Sequence, residues 1–358
     1  MAVHFHPLTI EKVQKETPDS VIVTFDVPGT LQASFQFTHG QNLTLKTIYN
    51  GEEVRRSYSI CSAPFENKLC IAVKKVEGGR FSGYVNNSLK KGDTIEVLPP
   101  TGRFFTRLDP VHEKQYLAFA AGSGITPIIS IIKATLAVEP KSSFTLVYGN
   151  RSRSSIMFFE ELEGLKNKYI QRFNLIHVLS RETTDGPINY GRIDTAKLKE
   201  LEKLVNYKGF DEIFICGPQE MIFSIKSFLS ERGIEEKNIH FELFTTPGQK
   251  TVETNTSSVD KDEQLKSLIT IKLDGRSFSF ELAYNNGSIL DEALKQGADL
   301  PYACKGGVCS SCRARLTRGK VSMDANYALE QEEVAAGFIL TCQSHPLTEK
   351  VVVDFDLR

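Results

Sequence analysis

The sequence predicts three successive folds on one chain: an antiparallel β barrel or sandwich, a doubly wound α/β layer, and a small α+β domain. Three observations carry this. The N-terminal part consists of short β-branched or alternating runs cut by Pro, Gly, Asn and Asp. From Lys114 onward, apolar strand-like runs alternate with helical patterns. A polar stretch rich in Thr and Ser, Thr245 to Gln264, then sets apart the C-terminal residues; it has too few large apolar side chains to fold and reads as a linker.

In the first part, "SVIVTFDV", "QNLTLKTI", "RRSYSI", "KLCIAVKKV" and "DTIEVLPP" read as strands. The helical "SGYVNNSL" interrupts them, with Ser82 as its expected N-cap. In the second part, "QYLAFAA", "SFTLVYG", "FNLIHVLS" and "EIFICG" are strands; "PIISIIKATLA", "MFFEELEGLKNKY" and "PQEMIFSIKSFLSERG" are helices. That alternation belongs to a parallel sheet. In the last part, "LITIKLDGRSFSFEL" reads as a hairpin turning at Asp274-Gly275. "SILDEALKQG" reads as a capped helix ending at Gly297. The expected domains are 1–110, 111–246 and 266–358, with 247–265 as linker.

A net charge of −1 over 358 residues gives no general attraction to nucleic acid or an anionic membrane. Tyr116 to Ile132 is uncharged, but it is short for a membrane span and is broken by Gly-Ser-Gly and Pro127. A buried strand, a glycine turn and a helix are expected there, with no stable membrane association. The N-terminal "MAVHFHPLTIEKVQKE" lacks the apolar core of a secretory signal, which predicts a cytoplasmic protein. Disulfides are not expected in that compartment. Cys61, Cys70 and Cys216 are scattered and read as small buried residues.

Cys304, Cys309, Cys312 and Cys342 are different. Four residues separate the first pair, two the second, and Cys342 follows thirty residues on. A zinc ribbon needs two short Cys-x-x-Cys pairs, and only one is present. A Rieske centre needs two histidines, and only His345 is near. The spacing is that of a plant-type 2Fe–2S site, whose irons take thiolate ligands from one wrapping loop. Gly306 and Gly307 let that loop turn tightly and bring amide N–H groups toward the sulfurs. "DLPYACKGGVCSSC" with "ILTCQSHP" resembles the plant-type ferredoxin domains over Leu268 to Arg358. The resemblance implies a β-grasp fold and one-electron transfer.

Arg56, Tyr58 and Ser59 alternate along "RRSYSI" and supply positive charge, an aromatic face and a hydroxyl, which are what a flavin needs. In "EGGRFSGYV", Gly78 and Gly79 permit close backbone approach, and the helix start beyond them is an anion site. Together these motifs resemble the ferredoxin–NADP reductase family over residues 3–246. The resemblance implies a barrel for the first domain, with Tyr58 stacked on the isoalloxazine, Ser59 at its reactive nitrogen and Arg56 on phosphate. It puts Val73 and Lys74 beside the ring and assigns Gly79, Arg80, Phe81 and Ser82 to the pyrophosphate. A separate glycine–helix site suits the diphosphate of FAD better than FMN.

"AAGSGITP" follows a buried strand and opens a helix; Gly122 and Gly124 allow a tight turn and a pyrophosphate, with Thr126 in the same turn. Pro127 stands where a dinucleotide fingerprint has its third glycine, as the reductase family expects. The same resemblance sets Cys216, Gly217 and Pro218 against the nicotinamide, Cys216 near the hydride-bearing carbon, and Phe244 over the flavin; a core role for Phe244 stays open. Ser59 and Cys216 are thus the expected catalytic pair. Arg151 and Arg153 follow the second strand where an NAD site carries an acid, and Ser180-Arg181 ends the third. Ser-Arg there resembles the 2′-phosphate contacts of NADP-using members, which favours NADPH, with NADH and ordinary surface arginines as alternatives.

The order of reductase then ferredoxin resembles the reductase components of bacterial oxygenases. "YGNRSRSSIMFFEELEGLKNKYIQRFNLIHVLSRE" is most similar to the branch that serves phenylacetyl-CoA epoxidases, which form a ring 1,2-epoxide. The resemblance implies an electron path from NADPH through FAD and the cluster to an oxygenase or hydroxylase component. A reductase of another oxygenase, hydroxylase or desaturase, a stand-alone flavin reductase or diaphorase, and a non-redox binding module are the alternatives.

Overall fold

The computed structural model describes residues 4–184, 186–244, 266–284 and 287–357. His6–Phe244 forms one unit and the C-terminal residues another; the linker expected at 247–265 lies outside the described residues.

In the first unit, β1 (His6–Thr17), β2 (Ser20–Asp26), β3 (Asn42–Tyr49), β4 (Glu52–Ser59), β5 (Leu69–Lys74) and β6 (Thr94–Val97) form one sheet in the order β4-β3-β6-β1-β2-β5. Its two edge strands meet just past β4, where Ile60 bridges Ile71 and Cys61 N–H donates to Cys70 C=O at 2.9 Å. That closure makes a barrel rather than an open sandwich, and leaves no unpaired edge at this seam. Leu8, Ile10, Val23, Leu43, Leu45 and Ile71 fill it, all fully buried. β1 had no clear sequence signal, because only Leu8, Ile10 and Thr17 of its twelve residues are buried. Helix α1 (Arg80–Asn87) begins one turn earlier than expected: its N-cap is Gly79, and Ser82 lies inside the first turn.

The second layer contains β7 (Gln115–Ala121), β8 (Ser143–Asn150), β9 (Phe173–Leu179), β10 (Glu212–Gly217) and β11 (Ile239–Leu243), all parallel, in the order β11-β10-β7-β8-β9. Helices α2 (Ile125–Val138), α3 (Phe159–Lys168), α4 (Thr195–Leu201) and α5 (Gln219–Glu231) connect the strands. The chain order reverses beside β7, so a crevice opens beyond the carboxyl ends of β7 and β10. The uncharged stretch becomes β7, a turn and α2, whose residues from Ile125 to Leu136 are all buried. Among the described residues no helix is long and apolar enough to cross a membrane.

The C-terminal unit has β12 (Lys266–Leu273), β13 (Arg276–Ala283), α6 (Ile289–Lys295), β14 (Arg313–Arg318), β15 (Val321–Met323), α7 (Gln331–Ala335), β16 (Phe338–Leu340), β17 (Ser344–Pro346) and β18 (Lys350–Asp354). The main sheet runs β13-β12-β18-β14-β16, with β12 parallel to β18 and the other pairs antiparallel. Asp274 (φ +55°) and Gly275 (φ +68°) make the expected hairpin turn. Ser288 caps α6 by accepting from Asp291 N–H at 3.1 Å, and Ile289, Leu290 and Ala293 press the helix onto the sheet core. This is the sheet-and-helix arrangement of a β-grasp.

Candidate electron-transfer sites

Near its C-terminal end β4 presents Arg56 and Tyr58 half-buried and Ser59 buried. The Tyr58 ring lies 5.7 Å from Phe81, tilted by 36°. Phe81 is itself in the barrel core, so it braces Tyr58 from behind. Arg56 Nη1 donates to Arg55 C=O at 2.7 Å. On β5, Val73 is fully buried and Lys74 Nζ lies 3.5 Å from Asp19. Gly79 is tightly enclosed: a Cβ there would fall 2.5 Å from Ser82 Oγ and 3.1 Å from Val76 O. That hydroxyl accepts from Val76 N–H at 3.1 Å and donates to Gly79 C=O at 3.3 Å. It fixes the glycine turn, while α1 opens with no side-chain cap, leaving its first amides for an anion. Arg80, beside that end, is ion-paired with Glu52. Asn86, which sequence reasoning missed, ties α1 to β5 by donating to Ser82 C=O at 2.9 Å and Val73 C=O at 3.1 Å.

In the crevice of the parallel sheet, Gly122 has φ +53°, and Tyr148 Oη donates to its carbonyl at 2.9 Å. Thr126 Oγ1 donates to Ser123 C=O at 3.1 Å and closes the turn. Gly124 also has a packing reason for being glycine: a Cβ would sit 2.2 Å from Cys216 O. The turn after β7 and the Cys216-Gly217-Pro218 turn after β10 are therefore in backbone contact. Cys216 is fully buried, and burial with the nearby Glu242 carboxylate pushes its thiol well up. It is neutral and cannot act as a base.

Glu242 is another residue that sequence reasoning overlooked. It pairs with Cys216 across β11 and β10, and it accepts from Ser59 Oγ at 3.1 Å. Ser59, Cys216 and Glu242 thus meet from the barrel and two neighbouring strands. The only sequence signal was one acid inside the apolar "HFELF". Phe244, just beyond β11, is half-buried against the core shared by α2 and the barrel edge.

At the ends of β8 and β9 and just beyond them the two segments stay hydrogen-bonded: Ser180 N–H donates to Asn150 C=O at 2.9 Å and Arg181 N–H to Arg151 C=O at 2.8 Å. This brings Arg151, Ser180 and Arg181 to one rim, both arginines exposed. Arg153 adjoins it; its guanidinium lies over Phe159, and its N–H donates to Glu182 at 2.8 Å.

In the C-terminal unit the four predicted cysteines are gathered. Among the described residues no three acids, histidines or cysteines converge as a single-ion site requires. The thiols instead form two pairs, Cys304 with Cys309 and Cys312 with Cys342. Hydrogen bonding from Cys304 draws Cys309 down, and bonding from Cys312 draws Cys342 down, while their donors are pushed up. Backbone N–H groups point at sulfur: Gly306 to Cys304 at 3.3 Å and Cys304 to Cys309 at 3.4 Å. Gly307 donates to Cys342 and Ser311 to Cys309. Two thiol pairs ringed by amide donors suit two bridged irons and stabilise negative charge on their ligands. Gly307 alone of the two glycines is left-handed (φ +74°), and a Cβ there would lie 2.8 Å from Ala325 O. The other sharp turns fall at Lys305 and Ser310. Gln343, not foreseen, joins Lys305 C=O at 2.9 Å and reaches Cys342 Sγ at 3.8 Å.

A closed barrel with an aromatic–hydroxyl strand and an uncapped helix, a parallel sheet with a glycine crevice, and a loop of paired thiols define a flavin-dependent reductase carrying its own iron–sulfur domain. Family models agree: an oxidoreductase FAD-binding domain over residues 7–106, an oxidoreductase NAD-binding domain over 119–227, and a 2Fe-2S iron-sulfur cluster binding domain over 271–347. The chain is 48% identical over 355 residues to a component of the 1,2-phenylacetyl-CoA epoxidase of Escherichia coli, covering 99% of this chain and 98% of that one. It is 33% identical to the ferredoxin reductase component of 3-ketosteroid-9-alpha-monooxygenase of Rhodococcus rhodochrous, covering 97% and 96%. Among solved structures it resembles phthalate dioxygenase reductase, with a TM-score of 0.58, 25% identity and 98% of both chains covered. The chain belongs to the family of FAD-, NAD- and 2Fe–2S-containing reductase components of multicomponent oxygenases.

Proposed function

We propose that this reductase takes electrons from NADPH and delivers them to the oxygenase part of a phenylacetyl-CoA epoxidase. The observation that carries the partner is the 48% identity running the whole length of both chains, against 33% for the steroid-system relative. A bound FAD would supply hydride acceptance from the nicotinamide and release of single electrons, as a 2Fe–2S cluster requires. The chain's own residues do the rest. Tyr58 stacks on the flavin, Arg56 and the open amides of α1 hold its phosphates, and Ser59 with Glu242 orients the ring edge. Gly122 and Gly124 would admit the nicotinamide dinucleotide, with neutral Cys216 packed against their turn. Cys304, Cys309, Cys312 and Cys342 hold the cluster. The working parts are 1–110, 111–246 and 266–358 in a cytoplasmic protein.

NADPH is favoured over NADH by the rim of Arg151, Ser180 and Arg181, whose exposed guanidinium groups match a 2′-phosphate. The experiment is anaerobic reduction by NADPH and by NADH, for the wild type and Arg181→Ala. A charge-assisted contact is worth about 1.5–3 kcal/mol, so the variant should lose roughly ten- to a hundredfold in kcat/KM for NADPH and little for NADH. A wild type that prefers NADH would refute the phosphate site and leave the electron path intact. Reconstitution with the oxygenase components of a phenylacetyl-CoA epoxidase tests the partner: no substrate-dependent NADPH consumption would favour another oxygenase.

A further inference from the structure

The barrel and the nicotinamide layer are stitched together along one face of α2. Ser130 and Lys133 lie one turn apart on it, both buried, at 0% and 8% exposure. Ser130 Oγ donates to Ser62 C=O at 2.6 Å. Lys133 Nζ donates to Glu66 at 2.9 Å and to Glu161 at 3.0 Å. Ser62 and Glu66 belong to the barrel loop joining β4 to β5, and Glu161 belongs to α3. The loop is also tied internally, by Ser62 Oγ donating to Lys68 C=O at 2.7 Å and Glu66 accepting from Ala63 N–H at 2.5 Å. Beside it, Glu16 of β1 accepts from Phe158 N–H at 2.5 Å, holding the left-handed residue (φ +59°) that opens α3.

A buried ammonium is costly unless its charge is matched, and removing one partner strands the others. Here the lysine is matched by one carboxylate from each side of the seam. The location matters as much as the pairing. The Ser62–Glu66 loop leaves directly from the Arg56–Ser59 end of β4, and α2 leaves directly from the Gly122–Gly124 turn. Lys133 sits about 13 Å along α2 from Gly124, so it is well removed from that turn.

We infer that Lys133 is a positioning residue for hydride transfer: by bridging Glu66 of the barrel and Glu161 of α3, it sets the register between the flavin-side strand and the dinucleotide turn. The inference rests on hydride passing between a nicotinamide and a flavin in this unit. Misplacing reacting atoms by an ångström costs about 10²-fold in rate.

The test compares Lys133→Met, which keeps length and loses charge, with Lys133→Arg, which keeps both ion pairs. In FAD-loaded protein, the limiting rate of flavin reduction should fall on the order of 10²-fold in Lys133→Met. The kinetic isotope effect with nicotinamide deuterated at the transferred position should rise, and the KM for NADPH should change little. Lys133→Arg should restore the rate. A second readout needs no flavin. Cys61 and Cys70 are buried at this seam with Lys133 among their electrostatic neighbours. In FAD-free protein, maleimide labelling of these two thiols, followed by peptide mass, should speed up in Lys133→Met and not in Lys133→Arg. Wild-type rate, isotope effect and labelling in Lys133→Met would overturn the inference. A wild-type protein reduced by neither nicotinamide would instead overturn the underlying function. Should Lys133→Met not fold, Glu66→Gln, which keeps the hydrogen bond and drops one charge, should move the readouts in the same direction; unchanged values there would equally refute it.

Discussion

Replacing Gly124 by alanine tests whether the two turns at the nicotinamide crevice must touch. An added Cβ would meet Cys216 O at 2.2 Å, Cys216 C at 2.6 Å and Gly217 N at 3.0 Å. All three are backbone atoms on a turn leading into α5, so no side chain can swing aside. Ordinary contact begins near 3.4 Å, so the turns must part by about 1 Å, an overpacking change that costs about 1–3 kcal/mol. For a unit of this size that is a drop of roughly 2–12 °C in Tm. The same displacement moves the dinucleotide turn away from Ser59 and Glu242, and hydride transfer should slow on the order of 10²-fold. Thermal unfolding of the FAD-loaded protein and stopped-flow flavin reduction measure the two effects. Wild-type Tm and rate in Gly124→Ala would mean that the turns do not pack as described, and the geometric reason for this glycine would fall.

Two further outcomes are expected. In Cys342→Ser, iron content should drop to background and reduction of a one-electron protein acceptor should vanish, while NADPH-driven ferricyanide reduction persists through the flavin; retention of a wild-type cluster spectrum would contradict the assigned ligand set. His39 is buried with Nε2 3.1 Å from Thr106 C=O, and burial pulls it down from 6.5 to about 4. The unfolded chain therefore binds the extra proton first. The stability contributed by keeping this ring neutral is fully present above pH 6.5 and is lost as pH falls toward 4, amounting to about 3 kcal/mol. Denaturant unfolding across that window should show a steeper loss in the wild type than in His39→Gln, and parallel curves would refute it.

Much of the fold is legible because its signals are local. "EIFICG" supplies every residue of β10, Asp274-Gly275 turns the hairpin, and Ser288 caps α6. The sequence reading missed β1 and α4 because neither carries a strong periodic signal: β1 buries three of its residues, and α4 is seven residues long. It misplaced the cap of α1 because a serine is a better cap than glycine in isolation, whereas here the helix starts after Gly79 and the Ser82 hydroxyl turns back to Val76 N–H and Gly79 C=O.

The cysteine site shows the same division at closer range. Spacing alone put three ligands on one loop, since the loop is short and its chemistry is carried by neighbours in the chain. The partition into two thiol pairs, and the amides of Gly306, Gly307 and Ser311 aimed at sulfur, depend on how the loop is wound. Sequence by itself determined the cofactor classes and the order of the three parts, because each motif is a contiguous binding surface. Only the tertiary structure decided that Ser59 meets Glu242, that Gly124 packs on Cys216, and that Lys133 joins Glu66 to Glu161. Those contacts span residues far apart in the chain, and no local pattern encodes a meeting whose only cause is the packing of a barrel against a parallel sheet.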